Sequence, residues 1–387
     1  MLAVKSTYAE TARTIGREVA GVFADDVDRK ARFPQESIDA LKQAKLLTAY
    51  VPVEYGGMGC SVEELAAICF ELGQHCASSA MVFAMHQIQV GCIVRHGAAH
   101  EPFRAYMREM VEKQLLLASA TTELGIGGDV RSSLCFVDRR GDDFHLEKNA
   151  PVISYGDYAD AVLATARRTA DASANDQLIV VCRKDGGKTT LVQQSTWDTL
   201  GFRGTCSNGY KLTADGPATQ ILPTAYGEIS AQTMLPFSHI VWTSLWLGIA
   251  TDAVNRARSA VRAAARAKPG TQPPAAMRLA EVFAQLAIMR SYVEDTIRAY
   301  TSVMNDAEEM SSLGYALRMN MLKVNISRML IDVVGAALTI CGIQGYKNDS
   351  KISVTRHLRD AHGAELMVAN DRILSANASM LLVFKDE

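Results

Sequence analysis

The alternation of apolar and polar positions gives the chain three textures. Up to about residue 118, apolar residues recur at helical spacing. Residues 8–27 are periodic, and Pro34 opens a second helix, PQESIDALKQAKLL. VPVEYGGMGC follows as a loop containing Gly56, Gly57 and Gly59. Ser61 and Glu64 have the spacing of a capping box ahead of ELAAICFELGQ. SSAMVFAMHQIQVGCIVRHG is apolar on nearly every side, which predicts a helix buried against other helices or another subunit.

After Ser119 the helical period stops. Short strand-like runs (FHLEKNAPVIS, AVLATARR, QLIVVCRK, TLVQQS and GYKLTAD) are separated by Gly, Asp and Asn clusters, and RRTADASANDQ reads as a solvated loop. From about residue 231 the helical period returns over residues 238–268, 275–304, 313–341 and about 353–384. Four long helices with short connections predict an antiparallel bundle. The expectation is an α+β fold: an N-terminal helical domain (1–118), a small middle β-barrel or sandwich (119–230) and a C-terminal four-helix bundle (231–387).

Composition narrows the class. The chain has 387 residues, 48% apolar and 21% charged, as in ordinary soluble globular proteins. Lys+Arg 40 against Asp+Glu 42 leaves a formal charge of −2, so no basic field points to nucleic acid and no polybasic run to a membrane surface. No uninterrupted apolar run has the length of a bilayer span, and the first twenty or so residues read as an amphipathic helix rather than a signal peptide. The eight cysteines are scattered without a CxxC pair. They read as reduced core thiols of a cytoplasmic protein, neither disulfides nor metal ligands.

The stretch SATTELGIGGDV, from Ser119 to Val130, carries the clearest chemical signal. It places hydroxyls and glycines side by side, which suits the polar edge of a bound cofactor approached closely by backbone. Its spacing matches neither GxGxxG nor GxxxxGK[ST].

Six short segments, in order and covering essentially the whole chain, resemble the acyl-CoA dehydrogenase family of flavoproteins. VPVEYGGMG resembles VPxExGGxG, TTELGIGGDV resembles TEPGxGSDV, and ISYG stands where the family has an ITNG-like loop. LGFRGTCS resembles LGxRGxxT, CGIQGY resembles GGxGY, and LRDA is present as Leu358–Ala361. The resemblance implies FAD, a homotetramer or homodimer, oxidation of an acyl thioester between Cα and Cβ, and an electron-transfer flavoprotein or another acceptor. It places Thr122 against the flavin ring, Ser154 (after Ile153) beside N5, and Ser119, Thr121, Gly127 and Gly128 along the same edge. It implies that Gly342 and Gly345 let a neighbouring subunit's backbone approach the adenosine half, and that Asn370 and Arg372 contact the phosphates.

The departures are informative. The family's catalytic glutamate falls on Val368, and the alternative site on the first long C-terminal helix falls on Ser238. Three groups remain as candidate bases. Glu365 and Asp371 lie one helical turn either side of Val368, and His239 adjoins Ser238 and titrates in a useful range. Pro236, His239 and Gly128 replace polar groups associated with coenzyme A binding, which suggests an acyl group on a carrier protein as an alternative to acyl-CoA. Arg266, or Arg262, is the counterpart of an arginine reaching the partner's FAD. Trp242 and Trp246 are candidates to line the substrate slot. Without a standard base, a flavin enzyme acting on another substrate or on oxygen, and a catalytically impaired acyl-binding paralogue, both remain open.

Overall fold

In the computed structural model, residues 7–127 and 129–385 are described. Helix α1 (Thr7–Ile15) passes through a π-turn (Gly16–Ala20) into α2 (Gly21–Lys30), and α3 (Gln35–Gln43) follows Pro34. The capping box forms: the Glu64 N–H donates to Ser61 Oγ at 3.2 Å and the Ser61 N–H to Glu64 Oε2 at 2.9 Å, starting α4 (Val62–Gly73). Then come α5 (Ala77–Gly97), buried along almost its whole length, and α6 (Glu101–Lys113).

The middle region holds two sheets. Strand β1 (Leu117–Ala120) begins just before the expected boundary and runs parallel to β4 (Ala161–Arg167), which pairs antiparallel with β5 (Gln177–Arg183). The second sheet is antiparallel, in the order β2 (Asp138–Arg140), β3 (Asp143–Ala150), β7 (Gly209–Pro217), β6 (Thr189–Ser195). β4 and β5 are buried on both faces and read as continuous apolar runs, whereas β3 alternates. β3 stops at Ala150, so the Val-Ile-Ser tail of its expected run is a turn.

The C-terminal helices start earlier than expected. α7 (Tyr226–Ile229) and a π-turn (Ser230–Met234) lead into α8 (Leu235–Ala267). α9 (Ala276–Val303), the short α10 (Ala307–Met310) and α11 (Leu313–Tyr346) follow. Terminal regions share one core. A Cβ on Gly73 of α4 would collide with the Leu245 carbonyl of α8, and one on Gly248 with the Phe70 carbonyl, so these helices touch backbone to backbone. α5 and α11 do have the length and apolarity of a bilayer span, contrary to the reading of the sequence. In α5 that apolarity is taken up by packing inside the protein.

The expected fourth helix is in fact two. α12 (Thr355–Leu366) and α13 (Asn370–Leu381) are separated by Met367–Ala369, with Val368 in the left-handed region at φ 46°. The break is held from behind by Lys323 of α11. Its fully buried ammonium donates to Glu365 O (3.3 Å), Val368 O (3.0 Å) and Asn370 Oδ1 (2.7 Å). Burial pulls Lys323 down to about 7, while these three oxygens favour the charged form. All eight cysteines are free.

Candidate functional site

A cavity of about 510 Å³ lies where the β region meets α5, α8 and α12. Ser119, at the end of β1, opens one wall, and Thr121 and Thr122 continue it. β1 is fixed at both backbone groups of Leu117. Its N–H donates to His86 Nδ1 at 2.9 Å, and its carbonyl accepts from the Tyr155 hydroxyl at 3.0 Å. The other nitrogen of His86 donates to the Leu47 carbonyl at 2.7 Å, so this buried imidazole is neutral, and burial pushes it down to about 4.

The stretch after Thr122 is shaped by Glu123, which sequence reasoning passed over. Its buried carboxylate accepts from Ser133 Oγ (2.7 Å) and from the N–H groups of Leu134 (3.0 Å) and Cys135 (2.8 Å). Burial opposes its ionisation, but Lys148, with Nζ at 3.5 Å, and these donors hold the carboxyl below its usual range.

The turn Val152–Tyr155 brings Ser154 to the same cavity. Ser154 Oγ shares a hydrogen bond with Ser207 Oγ at 2.8 Å, and Ser207 another with Thr205 Oγ1 at 2.7 Å. The 197–207 loop that carries these hydroxyls is clamped to α12. The Phe202 N–H donates to Asp360 Oδ1 at 2.7 Å, and a Cβ on Gly201 would collide with the Arg359 carbonyl. Two of the segments singled out in the sequence, LGFRG and LRDA, therefore meet.

Backbone strain gathers here. Tyr155 (φ 42°), Phe202 (φ 48°) and Val368 (φ 46°) all line the cavity, and Cys206 (φ 45°) sits between lining residues Thr205 and Ser207. Left-handed non-glycine residues cost of order 1 kcal/mol and persist only where surroundings over-determine them.

The helices add apolar side chains to the lining: Met81 and Met85 of α5, Trp242 of α8, and Leu366, Met367 and Val368 at the end of α12. The ionisable lining groups are Arg359, His362 and Tyr155. Arg359 is paired with Asp28, and the Tyr155 hydroxyl is pushed up by burial. No carboxylate lines the cavity among the described residues.

Of the residues expected at the site, Ser119, Thr121, Thr122, Ser154, Trp242 and Val368 line it. Ile153 is buried outside the lining. Gly127 is exposed and its carbonyl accepts from Arg372, away from the cavity; Gly128 lies outside the described residues. Asn370 is buried among Lys323, Ser327 and Glu365. Arg266 and Gly342 are exposed, and Gly345 accepts from the Val354 N–H at 2.9 Å; none of the three reaches the cavity.

The three candidate bases are not brought to the cavity. Glu365 and Asp371 share a face with residue 368 only on one continuous helix, and the break at Val368 removes it. Glu365 turns to Asn370 and Arg328, and Asp371 is exposed. His239 is buried with Nδ1 donating to the Met319 carbonyl at 3.0 Å, and burial pushes it down to about 4. Ser238 donates to its own helix, to Leu235 O at 2.7 Å. His362 was not singled out, because it belongs to no motif and its helix pattern marks it only as a polar position.

Comparison with known proteins agrees with this architecture. Two family models match: "Acyl-CoA dehydrogenase, N-terminal domain" over residues 5–114 and "Acyl-CoA dehydrogenase, C-terminal domain" over residues 227–372. A cyclohex-1-ene-1-carbonyl-CoA dehydrogenase of Geobacter metallireducens is 26% identical over 95% of this chain and 94% of its own. Butyryl-CoA dehydrogenase of Megasphaera elsdenii shares the fold at a TM-score of 0.80 and 20% identity, over 97% of each chain. KijD3, solved with FMN and a dTDP-amino-keto sugar, superposes at 0.83 with 19% identity, over 100% of this chain and 96% of that one. Family models on both sides of the β region, and a relative aligned nearly end to end, make this chain a member of the acyl-CoA dehydrogenase family.

Proposed function

We propose that this chain is an FAD-dependent oxidoreductase that removes hydrogen from the Cα–Cβ bond of an acyl thioester. The observation that carries the reading is a cavity lined both by hydroxyls of the β region and by apolar side chains of α5, α8 and the α12 break. The residues present fit a flavin: Ser119, Thr121, Thr122 and Ser154 offer polar contacts along one edge, and the Ser154–Ser207–Thr205 chain keeps these hydroxyls oriented. When bound, the flavin supplies a two-electron acceptor for the hydrogen leaving Cβ.

The protein's own part is positioning and exclusion of water. Met81, Met85, Trp242 and Leu366 would flank the acyl chain and dry the slot. Developing charge on the thioester oxygen needs donors, and the hydroxyl wall has them. The relative's name carries an acyl-CoA substrate into this reading. Pro236, His239 and Gly128 motivate the narrower alternative of a carrier-bound acyl group, which equal or better turnover of the free acyl-CoA would exclude. An electron-transfer flavoprotein or similar acceptor, a homotetramer or homodimer, and a cytoplasmic location complete the reading.

The test is a visible spectrum of the purified protein, repeated anaerobically after adding an acyl-CoA. Flavin bands near one FAD per chain that bleach support the reading. A second reading follows from the carboxylate-free lining: a flavin enzyme of the same fold that acts on another substrate or on oxygen. Bands that do not bleach with any thioester, together with hydrogen peroxide formed on another substrate, would favour it.

A further inference from the structure

Removing an α-proton from a thioester requires a side chain that accepts it. Val368 and Ser238 occupy the places of the family's carboxylates, and Glu365, Asp371 and His239 are turned elsewhere. The lining leaves a short choice. Arg359 stays charged and paired with Asp28, and the Tyr155 hydroxyl is committed to the Leu117 carbonyl. His362 differs from both. It lies on α12 one turn before Leu366, faces the cavity, and among the described residues neither ring nitrogen has a hydrogen-bond partner. The buried His86 and His239, by contrast, are held neutral by fixed bonds.

We infer that His362 is the base that takes the α-proton, in place of the absent carboxylate. The inference rests on the acyl thioester reading above. The Cα–H bond breaks and its proton passes to an imidazole nitrogen, while its electron pair forms the Cα=Cβ double bond. The Cβ hydrogen leaves with its own pair to the flavin, the oxidant. The imidazolium then releases its proton to solvent, which His362 reaches because it is exposed at the cavity mouth. The charged and titratable groups that share the lining with it are Arg359, on its own helix and paired with Asp28 of α2, and the Tyr155 hydroxyl of the β region.

The experiment compares wild type, His362→Gln and His362→Glu as flavin-loaded protein, with rates expressed per bound flavin. His362→Gln should lower kcat/KM by at least about a hundredfold, with flavin and thioester affinities unchanged. The rise of wild-type kcat/KM with pH should vanish in His362→Gln and move to lower pH in His362→Glu. Without flavin, diethyl pyrocarbonate should modify His362, mapped by peptide mass, and a bound acyl-CoA should protect it. A His362→Gln rate within about threefold of wild type with the same pH limb overturns the inference. So does weaker thioester binding at unchanged kcat, which would make His362 a binding residue. Failure of the wild type itself to be reduced by any thioester sinks the underlying function reading instead, and is separately visible.

Discussion

The N–H of Phe202 donates to Asp360 Oδ1 at 2.7 Å, joining a β-region loop to helix α12 beside the cavity that Phe202 lines. Asp360 is buried, and burial pushes its carboxyl up to about 6, above the ordinary aspartate range. A carboxyl whose folded pKa lies above its unfolded one binds more protons folded than unfolded, so its contribution falls as pH rises from about 4 to about 6. The difference amounts to about 2–3 kcal/mol at most. Asp360→Asn keeps an acceptor for Phe202 and removes the charge. Its denaturation midpoint relative to wild type should therefore rise across that window. Asp360→Ala strands the buried N–H and should cost about 1–3 kcal/mol. A flat Asn-minus-wild-type difference would refute the assignment.

His86 gives the opposite sign. Its neutral ring bridges Leu47 O and Leu117 N–H, tying α5 to β1, and its pKa is down to about 4. Stability from the neutral ring is present above the ordinary histidine range and is lost as pH falls through about 6.5 to 4. His86→Gln can supply one donor and one acceptor without titrating. It should lose less stability than wild type on acidification, read from urea midpoints at each pH. His86→Leu should cost about 1–3 kcal/mol at pH 7, by leaving the buried Leu117 N–H unpaired, while Leu47 O keeps its bond from Gln87 Nε2 at 2.8 Å.

Much of this could be read before the fold was known, and the exceptions have physical causes. The capping box at Ser61 and Glu64, the apolar α5 and the buried β4 and β5 were legible because local pattern and tertiary role agree there. The break at Val368 was not: Leu366–Met367–Val368–Ala369 contains neither glycine nor proline, and the helix is interrupted by buried Lys323 gathering backbone oxygens from a distant helix. That one tertiary event also misdirected the search for a base, since Glu365 and Asp371 share a face only on a helix that does not exist. Glu123 lay inside a recognised segment, yet its partners at 133–135 and Lys148 are visible only once the loop folds back.

Ser154 offers a direct test of the hydroxyl wall. Its Oγ is half-buried and bonded to Ser207 Oγ, and Ser207 keeps Thr205 as a second partner. Ser154→Ala should therefore leave stability within about 0.5 kcal/mol of wild type. It should weaken flavin binding by about tenfold, the loss of one good hydrogen bond. Ultrafiltration with absorbance of retained flavin measures this. Unchanged affinity would place the flavin edge elsewhere.

The carboxylates that flank the break should be dispensable for chemistry. Glu365 bonds Asn370 at 3.3 Å and sits 3.7 Å from Arg328, and Asp371 is exposed at the start of α13. Glu365→Gln and Asp371→Asn should each keep thioester-driven flavin reduction within about threefold of wild type, less than the hundredfold or more at stake in a catalytic acid or base. A drop of that size in either variant, with flavin still bound, would return that carboxylate to the active site.

Val368 permits a gain-of-function prediction. It lines the cavity where the family's glutamate falls, and it is a β-branched residue held at φ 46°. A straight-chain side chain is less strained than valine in the left-handed region, so Val368→Glu should be neutral or stabilising by up to about 1 kcal/mol. Its backbone carbonyl still accepts from Lys323, so the break persists. The new carboxylate would stand at the cavity lining, in the place Val368 holds. If the reaction begins by α-proton removal, anaerobic flavin reduction by an acyl thioester should accelerate by about tenfold or more, with its pH limb moved toward the carboxylate range. A stable, flavin-loaded Val368→Glu protein with no faster reduction would mean that the slot does not hold the Cα–H bond beside residue 368, and would favour the flavin enzyme acting on another substrate.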